Sequence, residues 1–158
     1  MAVEIEYRYL LKNNFAKKEF EKKRIKAVQQ IQQGYLSRKL NVRVRIIMEG
    51  SKERAFLTYK RGKGVIRDEY ECEIDLEVGK ELVKDAIILV EKTRYKYKYD
   101  NYIWDIDYYP LRDIWTAEIE LSKIDESYKK LPFIDRDITG LKDYSNKSLG
   151  IKDYLENE

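Results

Sequence analysis

The sequence predicts a mainly β fold, a barrel or sandwich of seven or eight short antiparallel strands accompanied by a few helices. Three observations carry this. Charged and apolar residues alternate with a period of two in run after run along the chain. Turn signals such as Gly62-Lys63-Gly64 and Asp100-Asn101 separate the runs. Only two stretches switch to helical spacing, and no internal repeat or low-complexity linker interrupts the pattern. At 158 residues the chain has the usual size of one domain, and a single domain over residues 1–158 is expected.

Residues 3 to 11 place Glu4, Glu6 and Arg8 on one face and Val3, Ile5, Tyr7, Tyr9 and Leu11 on the other, which reads as a strand. From Phe15 to about Gln30 an amphipathic helix is expected, with Ala16, Phe20, Ala27 and Ile31 along one side; Gly34 punctuates it and Tyr35 begins the next extended stretch. Between Val42 and Met48, Arg43 and Arg45 oppose Val42, Val44, Ile46 and Met48, and Phe56, Thr58 and Lys60 follow the same rule. Val65 to Ile74 gathers Arg67, Glu69, Glu71 and Glu73 on one face. A short helix is expected between Val78 and Ile87. Leu89 to Tyr99 then aligns Lys92, Arg94, Lys96 and Lys98, and Asp100-Asn101, both tolerant of positive φ, forms a two-residue hairpin turn. The return strand sets Asp105 and Asp107 against Tyr102, Trp104, Ile106 and Tyr108, and the last clear strand sets Glu118 and Glu120 against Trp115, Ala117, Ile119 and Leu121. Pro132 opens a less regular C-terminal third.

Composition closes off much chemistry. Lys and Arg exceed Asp and Glu by only 32 to 29, so the net charge of +3 does not mark a nucleic-acid binder, and any anion site must be local. No apolar run approaches the roughly 18 residues of a membrane span, and the N-terminus enters a charged segment at once, which gives the expectation of a cytoplasmic protein without membrane contact. With one cysteine and no histidine there is no internal disulfide, no Cys/His zinc site and no Ser-His or Cys-His nucleophile pair. Cys72 falls on the apolar face of its strand and reads as a packing residue. Neither a GxxxxGK[ST] nor a GxGxxG motif is present. Carboxylates, cations and metals remain.

Periodicity alone does not say which face of each strand is inside. In one reading the charged face is the wet side of an antiparallel sheet. Against it stands the sorting of charge by strand into acid pairs (Glu4/Glu6, Glu69/Glu71, Asp105/Asp107, Glu118/Glu120) and base pairs (Arg43/Arg45, Lys92/Arg94), where a solubility face mixes signs. Two like charges at i and i+2 lie within about 7 Å and repel unless an opposite charge sits between them. Clustered carboxylates suit Mg²⁺ or Mn²⁺, and arginines and lysines suit phosphate oxygens.

The blocks that carry these charges resemble the CYTH domains, the triphosphate tunnel metalloenzymes. Glu4-Ile5-Glu6-Tyr7-Arg8 resembles that family's ExExK signature and Gln33-Gly34-Tyr35-Leu36-Ser37 its QGYLS segment. Arg43-Val44-Arg45, Leu57-Thr58-Tyr59-Lys60, Arg67-Asp68-Glu69-Tyr70-Glu71, Glu91-Lys92-Thr93-Arg94-Tyr95, Asp105-Ile106-Asp107, Glu118-Ile119-Glu120 and Tyr144-Ser145-Asn146-Lys147 follow in family order. The resemblance implies a closed eight-stranded antiparallel β-barrel, a triphosphate tunnel with a few flanking helices and the charged face inward. It also implies metal ligands at Glu4, Glu6, Glu69, Glu71, Asp107, Glu118 and Glu120, and phosphate contacts at Arg8, Arg43, Arg45, Lys60, Arg67, Lys92, Arg94 and Lys147. Lys92, Arg94 and Glu6 are the expected catalytic residues.

One departure stands out: Arg8 occupies the signature's lysine position, and a guanidinium does not act as a base at ordinary pH, which moves that role to Lys92. Lys96 and Lys98 fit the rim of the tunnel, and Glu73 fits solvent as well as the site. The implied function is Mg²⁺- or Mn²⁺-dependent hydrolysis of inorganic tripolyphosphate to pyrophosphate and phosphate. A nucleoside or thiamine triphosphatase or an adenylate cyclase on the same fold is the alternative, and a non-catalytic polyphosphate- or nucleotide-binding module the alternative of another class. The expected partner is a small triphosphate, with a homodimer as the expected assembly.

Overall fold

The computed structural model describes residues 2–21 and 28–149. Its elements are β1 (Ala2–Leu11), α1 (Asn13–Ala16) continued by a π-helical turn over Lys17–Glu21, β2 (Val28–Tyr35), β3 (Asn41–Glu49), β4 (Lys52–Arg61), β5 (Ile66–Ile74), α2 (Leu76–Lys84), β6 (Ile88–Tyr99), β7 (Tyr102–Tyr109), β8 (Ile114–Leu121), β9 (Ile134–Asp137) and a 3₁₀ turn over Lys142–Tyr144. The strands form one sheet in the order β5-β4-β3-β2-β6-β7-β8-β1-β9, with antiparallel pairing throughout. A further pairing of β1 with β5, Ala2 to Ile5 against Glu69 to Ile66, closes eight strands into a barrel and leaves β9 as an extra strand beside β1.

Closure decides which face of each strand is inside. The sorted charges turn into the lumen, and most apolar positions turn outward beneath the helices and the C-terminal chain. On one flank, Trp104, Ile106, Trp115, Ala117 and Ile119 are buried outside the barrel wall with Phe20 and Phe133 laid over them. Phe20, from the π-helical turn, stacks on Trp115 at 5.7 Å between ring centres and meets Tyr97 edge-on at 5.2 Å. On the other flank α2 covers Val44, Ile46 and Ala55 with Val83. Two glycines allow that approach: a Cβ on Gly79 would lie 2.5 Å from Ala55 Cβ, and one on Gly34 would lie 2.7 Å from Ala86 Cβ. Asp75 caps α2 by accepting from the Val78 N–H at 3.1 Å. A smaller apolar cluster, Tyr35, Ile88, Val90, Tyr109 and Leu149, combines inward positions of three barrel strands with the C-terminal segment. Among the described residues no helix is long and apolar enough to cross a membrane.

The hairpin turn at Asp100-Asn101 is present with φ of 46° and 68°. The helix expected from Phe15 to about Gln30 is present only in its first part: residues up to Glu21 are helical, residues 22–27, Ala27 among them, lie outside the described residues, and Val28 to Gln30, together with Ile31 and Gly34, belong to β2. Strand β2 is central, hydrogen-bonded to β3 on one side and β6 on the other, and pairing along both edges overrides the local helical spacing. Cys72 also departs from expectation. It is exposed on the outer face of β5, a strand whose residues are mostly exposed or half-buried.

Because Phe20 joins four aromatic rings in the outer core, Phe20→Ala is expected to cost about 3–5 kcal/mol of unfolding free energy and Phe20→Leu much less. Urea unfolding followed by tryptophan fluorescence measures both.

Candidate functional site

The lumen holds a cavity of about 730 Å³. Its walls carry Glu4, Glu6 and Arg8 from β1, Arg43 and Arg45 from β3, Lys60 from β4, and Arg67, Glu69 and Glu71 from β5. Lys92 and Arg94 from β6, Asp105 from β7, Glu118 and Glu120 from β8, and Asn146 and Lys147 from the C-terminal segment complete them. Alternation delivers each set, since residues two apart on a strand share a face.

Strand order then sorts the charges into two sectors. Neighbouring strands β5, β1, β8 and β7 bring the carboxylates together, while β4, β3 and β6 bring most of the cations. Between β3 and β6, strand β2 contributes neutral groups. Gln33 is fully buried, accepts from Arg45 Nε at 2.9 Å and donates to the Tyr35 hydroxyl at 3.0 Å, and that hydroxyl also accepts from Arg43 at 3.2 Å. Burial and then the neighbouring Arg43 lower the Arg45 guanidinium to about 10.

The sectors meet in ion pairs. Glu4 accepts from Lys60 at 3.0 and 3.1 Å and from Arg67 at 3.0 Å, and Lys60 lies 3.3 Å from Glu69. Arg8 donates through Nε to Glu118 at 3.0 Å. Arg94 forms a two-point contact with Asp107 at 2.7 and 2.8 Å and approaches Asp105 at 3.3 Å and Glu118 at 3.5 Å. Lys92 lies 2.8 Å from the second oxygen of Asp107 and donates to Asn146 Oδ1 at 2.9 Å.

The acidic sector is under electrostatic load. Glu6 faces Glu120 directly across the β1–β8 pair. Burial and then the nearby Glu118 raise the Glu6 carboxyl to about 8. Burial also raises Glu69 and Glu120. In Glu118, burial and Asp107 push upward, but Arg8, Arg94 and Lys92 outweigh them and hold the carboxyl at about 2. Burial lowers the Lys92 ammonium to about 7 against the opposing pull of Asp107.

An all-oxygen donor set with surplus acid fits a hard divalent cation in chemistry. Among the described residues no three acids converge into a ready-made coordination shell, because Glu4 and Glu118 are held by cations. On the basic side, Arg8 Nη2, Arg43 Nε and Arg67 Nε are buried donors without an acceptor among the described residues, which suits an anion with many oxygens.

The expected site residues largely share this cavity, with two differences. Asp107 has no exposed surface and spends both oxygens on Arg94 and Lys92, so it braces those cations and is not available as a metal ligand in this arrangement. Lys147 borders the cavity, yet its ammonium donates to the Ser37 and Arg38 carbonyls at 2.8 and 3.1 Å, tying the C-terminal segment to the loop before β3. Lys96 pairs with Asp105 at 2.5 Å, and Glu73 pairs with Arg54 in the open. Gln33, Tyr35, Tyr109 and Asn146 were not expected in the site. Correct strand assignment of β2 exposes the first two by parity with Ile31, and Asn146 stands beside Lys147 in a block already singled out.

A closed antiparallel barrel whose lumen is divided between carboxylates and cations defines a tunnel protein with a charge-sorted interior. The CYTH domain family model matches residues 2–149, and the chain belongs to that family. An inorganic triphosphatase of Acetivibrio thermocellus is 32% identical over 124 residues, spanning 74% of this chain and 77% of that protein. The crystal structure of the inorganic triphosphatase NE1496 superposes with a TM-score of 0.56 at 23% identity, covering 92% of this chain and 95% of that one. The PH1819 protein from Pyrococcus horikoshii OT3 superposes with a TM-score of 0.57 at 22% identity, covering 76% and 78%. At these identities the two structures bear on the fold.

Glu6 sets a pH dependence of stability. Its folded-state value lies above the ordinary 4.5, so the folded chain retains a proton that the unfolded chain releases, and stability from this group falls as pH rises from about 4.5 to about 8. Metal-free Glu6→Gln is expected to melt above the wild type at about pH 8 and to converge with it near pH 4.5, as read by differential scanning calorimetry.

Proposed function

We propose that this chain is a metal-dependent hydrolase that cleaves inorganic tripolyphosphate to pyrophosphate and phosphate. The observation that carries the reading is the two-sector lumen: carboxylates from β5, β1 and β8 face cations from β4, β3 and β6 across one cavity. Membership of the CYTH family and the related inorganic triphosphatase of Acetivibrio thermocellus support it.

In this reading Arg8, Arg43, Arg45, Lys60 and Arg67 hold the phosphate chain, with the acceptor-less nitrogens of Arg8, Arg43 and Arg67 turned to its oxygens. Glu4, Glu6, Glu69, Glu71, Glu118 and Glu120 would hold Mg²⁺ or Mn²⁺, Glu4 and Glu118 by exchanging their present cation partners for the metal. A bound ion of this kind would neutralise charge on the phosphoryl oxygens and make a nearby water more acidic. In-line attack by a water oxygen forms a new bond to the terminal phosphorus as the bridging P–O bond breaks, the water's proton passes to the Lys92 amine, and pyrophosphate leaves with its oxygen neutralised by the cationic wall.

Arg94 is held rigid by Asp107, Asp105 and Glu118 and presents a fixed positive charge. Lys92, with its ammonium at about 7, exchanges a proton near neutral pH where Arg8 does not. Asp107 and Asn146 keep its nitrogen in place.

Release of phosphate and pyrophosphate from tripolyphosphate, ATP and thiamine triphosphate with Mg²⁺ or Mn²⁺ tests the reading. Tripolyphosphate is expected to be cleaved fastest, Glu6→Gln and added EDTA to abolish turnover, and Lys92→Gln to lower kcat about 100-fold. Binding of tripolyphosphate without phosphate release would leave a binding module in place of an enzyme, and unimpaired Lys92→Gln turnover would remove Lys92 from proton transfer.

A further inference from the structure

Asn146 sits in the tunnel wall, where its oxygen helps to hold Lys92 and its amide nitrogen has no task in the reaction above. It belongs to the C-terminal segment, which is held against the barrel at several points. Arg8 donates to the Tyr144 carbonyl at 2.7 Å, Lys147 donates to the Ser37 and Arg38 carbonyls, and Leu149 is buried with Tyr35, Ile88, Val90 and Tyr109. The amide of Asn146 is therefore presented by a fixed backbone.

Chemistry decides which way that amide faces. Its Oδ1 accepts from the Lys92 ammonium at 2.9 Å and from the Tyr109 hydroxyl at 2.6 Å. An ammonium has donors only, so the oxygen must be the atom toward Lys92. The NH₂ then lies on the other limb of the amide, where among the described residues it has no hydrogen-bond acceptor, and Asn146 borders the cavity. Lys92 has one N–H engaged by Asp107 and one by Asn146, which leaves a third. An ammonium donor and an amide donor are thus joined through a single shared oxygen at the edge of one cavity.

We propose that Asn146 is a phosphate-contacting residue whose side-chain amide donates to a phosphoryl oxygen lodged against Lys92. The inference rests on the tripolyphosphate reading and deepens it. A neutral donor adds a hydrogen bond to the basic wall without adding repulsion to Arg45, Lys92 and Arg94, which already crowd one another. It also makes the C-terminal segment part of the substrate site, not only a covering for it.

Nitrogen-15 NMR of the side-chain amides of the whole chain tests this without any turnover. The Asn146 NH₂ signals are assigned by their loss in Asn146→Asp, which preserves side-chain shape, and checked with Asn146→Ala. Saturating tripolyphosphate is expected to shift both that pair and the guanidinium signals of Arg43 and Arg45, and Asn146→Ala is expected to weaken calorimetric binding of tripolyphosphate about tenfold. Arginine signals that move while the Asn146 pair stays still would overturn the proposal and leave the function standing. A chain in which neither set moves has lost both.

Discussion

The charge separation across the lumen is the constraint on which the rest of this structure depends. Strands β1, β3, β5, β6 and β8 present acids or bases two residues apart, an arrangement that repels itself and survives only when the opposite sign lies opposite. Closure of β1 on β5 brings Glu4 against Arg67 and Lys60, and the pairing of β1 with β8 sets Arg8 against Glu118. In a low-dielectric interior such contacts are strong, and so is the cost of each group left without one. The residue of that balance is unequal. Glu6, Glu69 and Glu120 are pushed upward in the acidic sector, and Lys92 and Arg45 downward in the basic one. Both directions mark charge that the protein's own groups leave unbalanced.

Neutral groups are as necessary as charged ones. Two guanidiniums on β3 and two cations on β6 would face one another without relief, and β2 stands between them with Gln33 and Tyr35 in place of further charge. Asn146 plays a similar part toward Lys92, and Asp107 anchors Lys92 and Arg94 from behind. The wall is therefore a layered network, with the groups nearest the cavity oriented by a buried set that carries little of the charge.

Much of this could be read from the residues. Alternation on β1, β3 and β8 placed Glu4, Glu6, Arg43, Arg45, Glu118 and Glu120 on their correct faces, and Asp100-Asn101 marked the hairpin. What alternation left undecided was the direction of those faces, which only the closing pairing of β1 with β5 settles in physical terms. Strand β2 was hidden for a different reason. Its Gln-rich start carries no hydrophobic period of two, and its strand character comes from hydrogen bonds to β3 and β6 that no local pattern encodes. Asp107 resembles its neighbour Asp105 in every respect visible along the chain. The difference between a carboxylate that borders the cavity and one fully taken up by Arg94 and Lys92 is a matter of depth in the barrel.

Most of the apolar core of this protein lies outside the barrel, with Trp104, Trp115 and Phe20 on one flank and Val44, Ala55 and Val83 on the other. Odd and even positions of a strand consequently answer to different demands, cohesion on one side and ligand chemistry on the other. Inward side chains can be exchanged for others of matching charge balance while the hydrophobic seam with the helices stays as it is. Such a scaffold permits divergence of chemistry at constant architecture: successive sequence changes along the lumen retune which anion is held, and the folding problem does not have to be solved again.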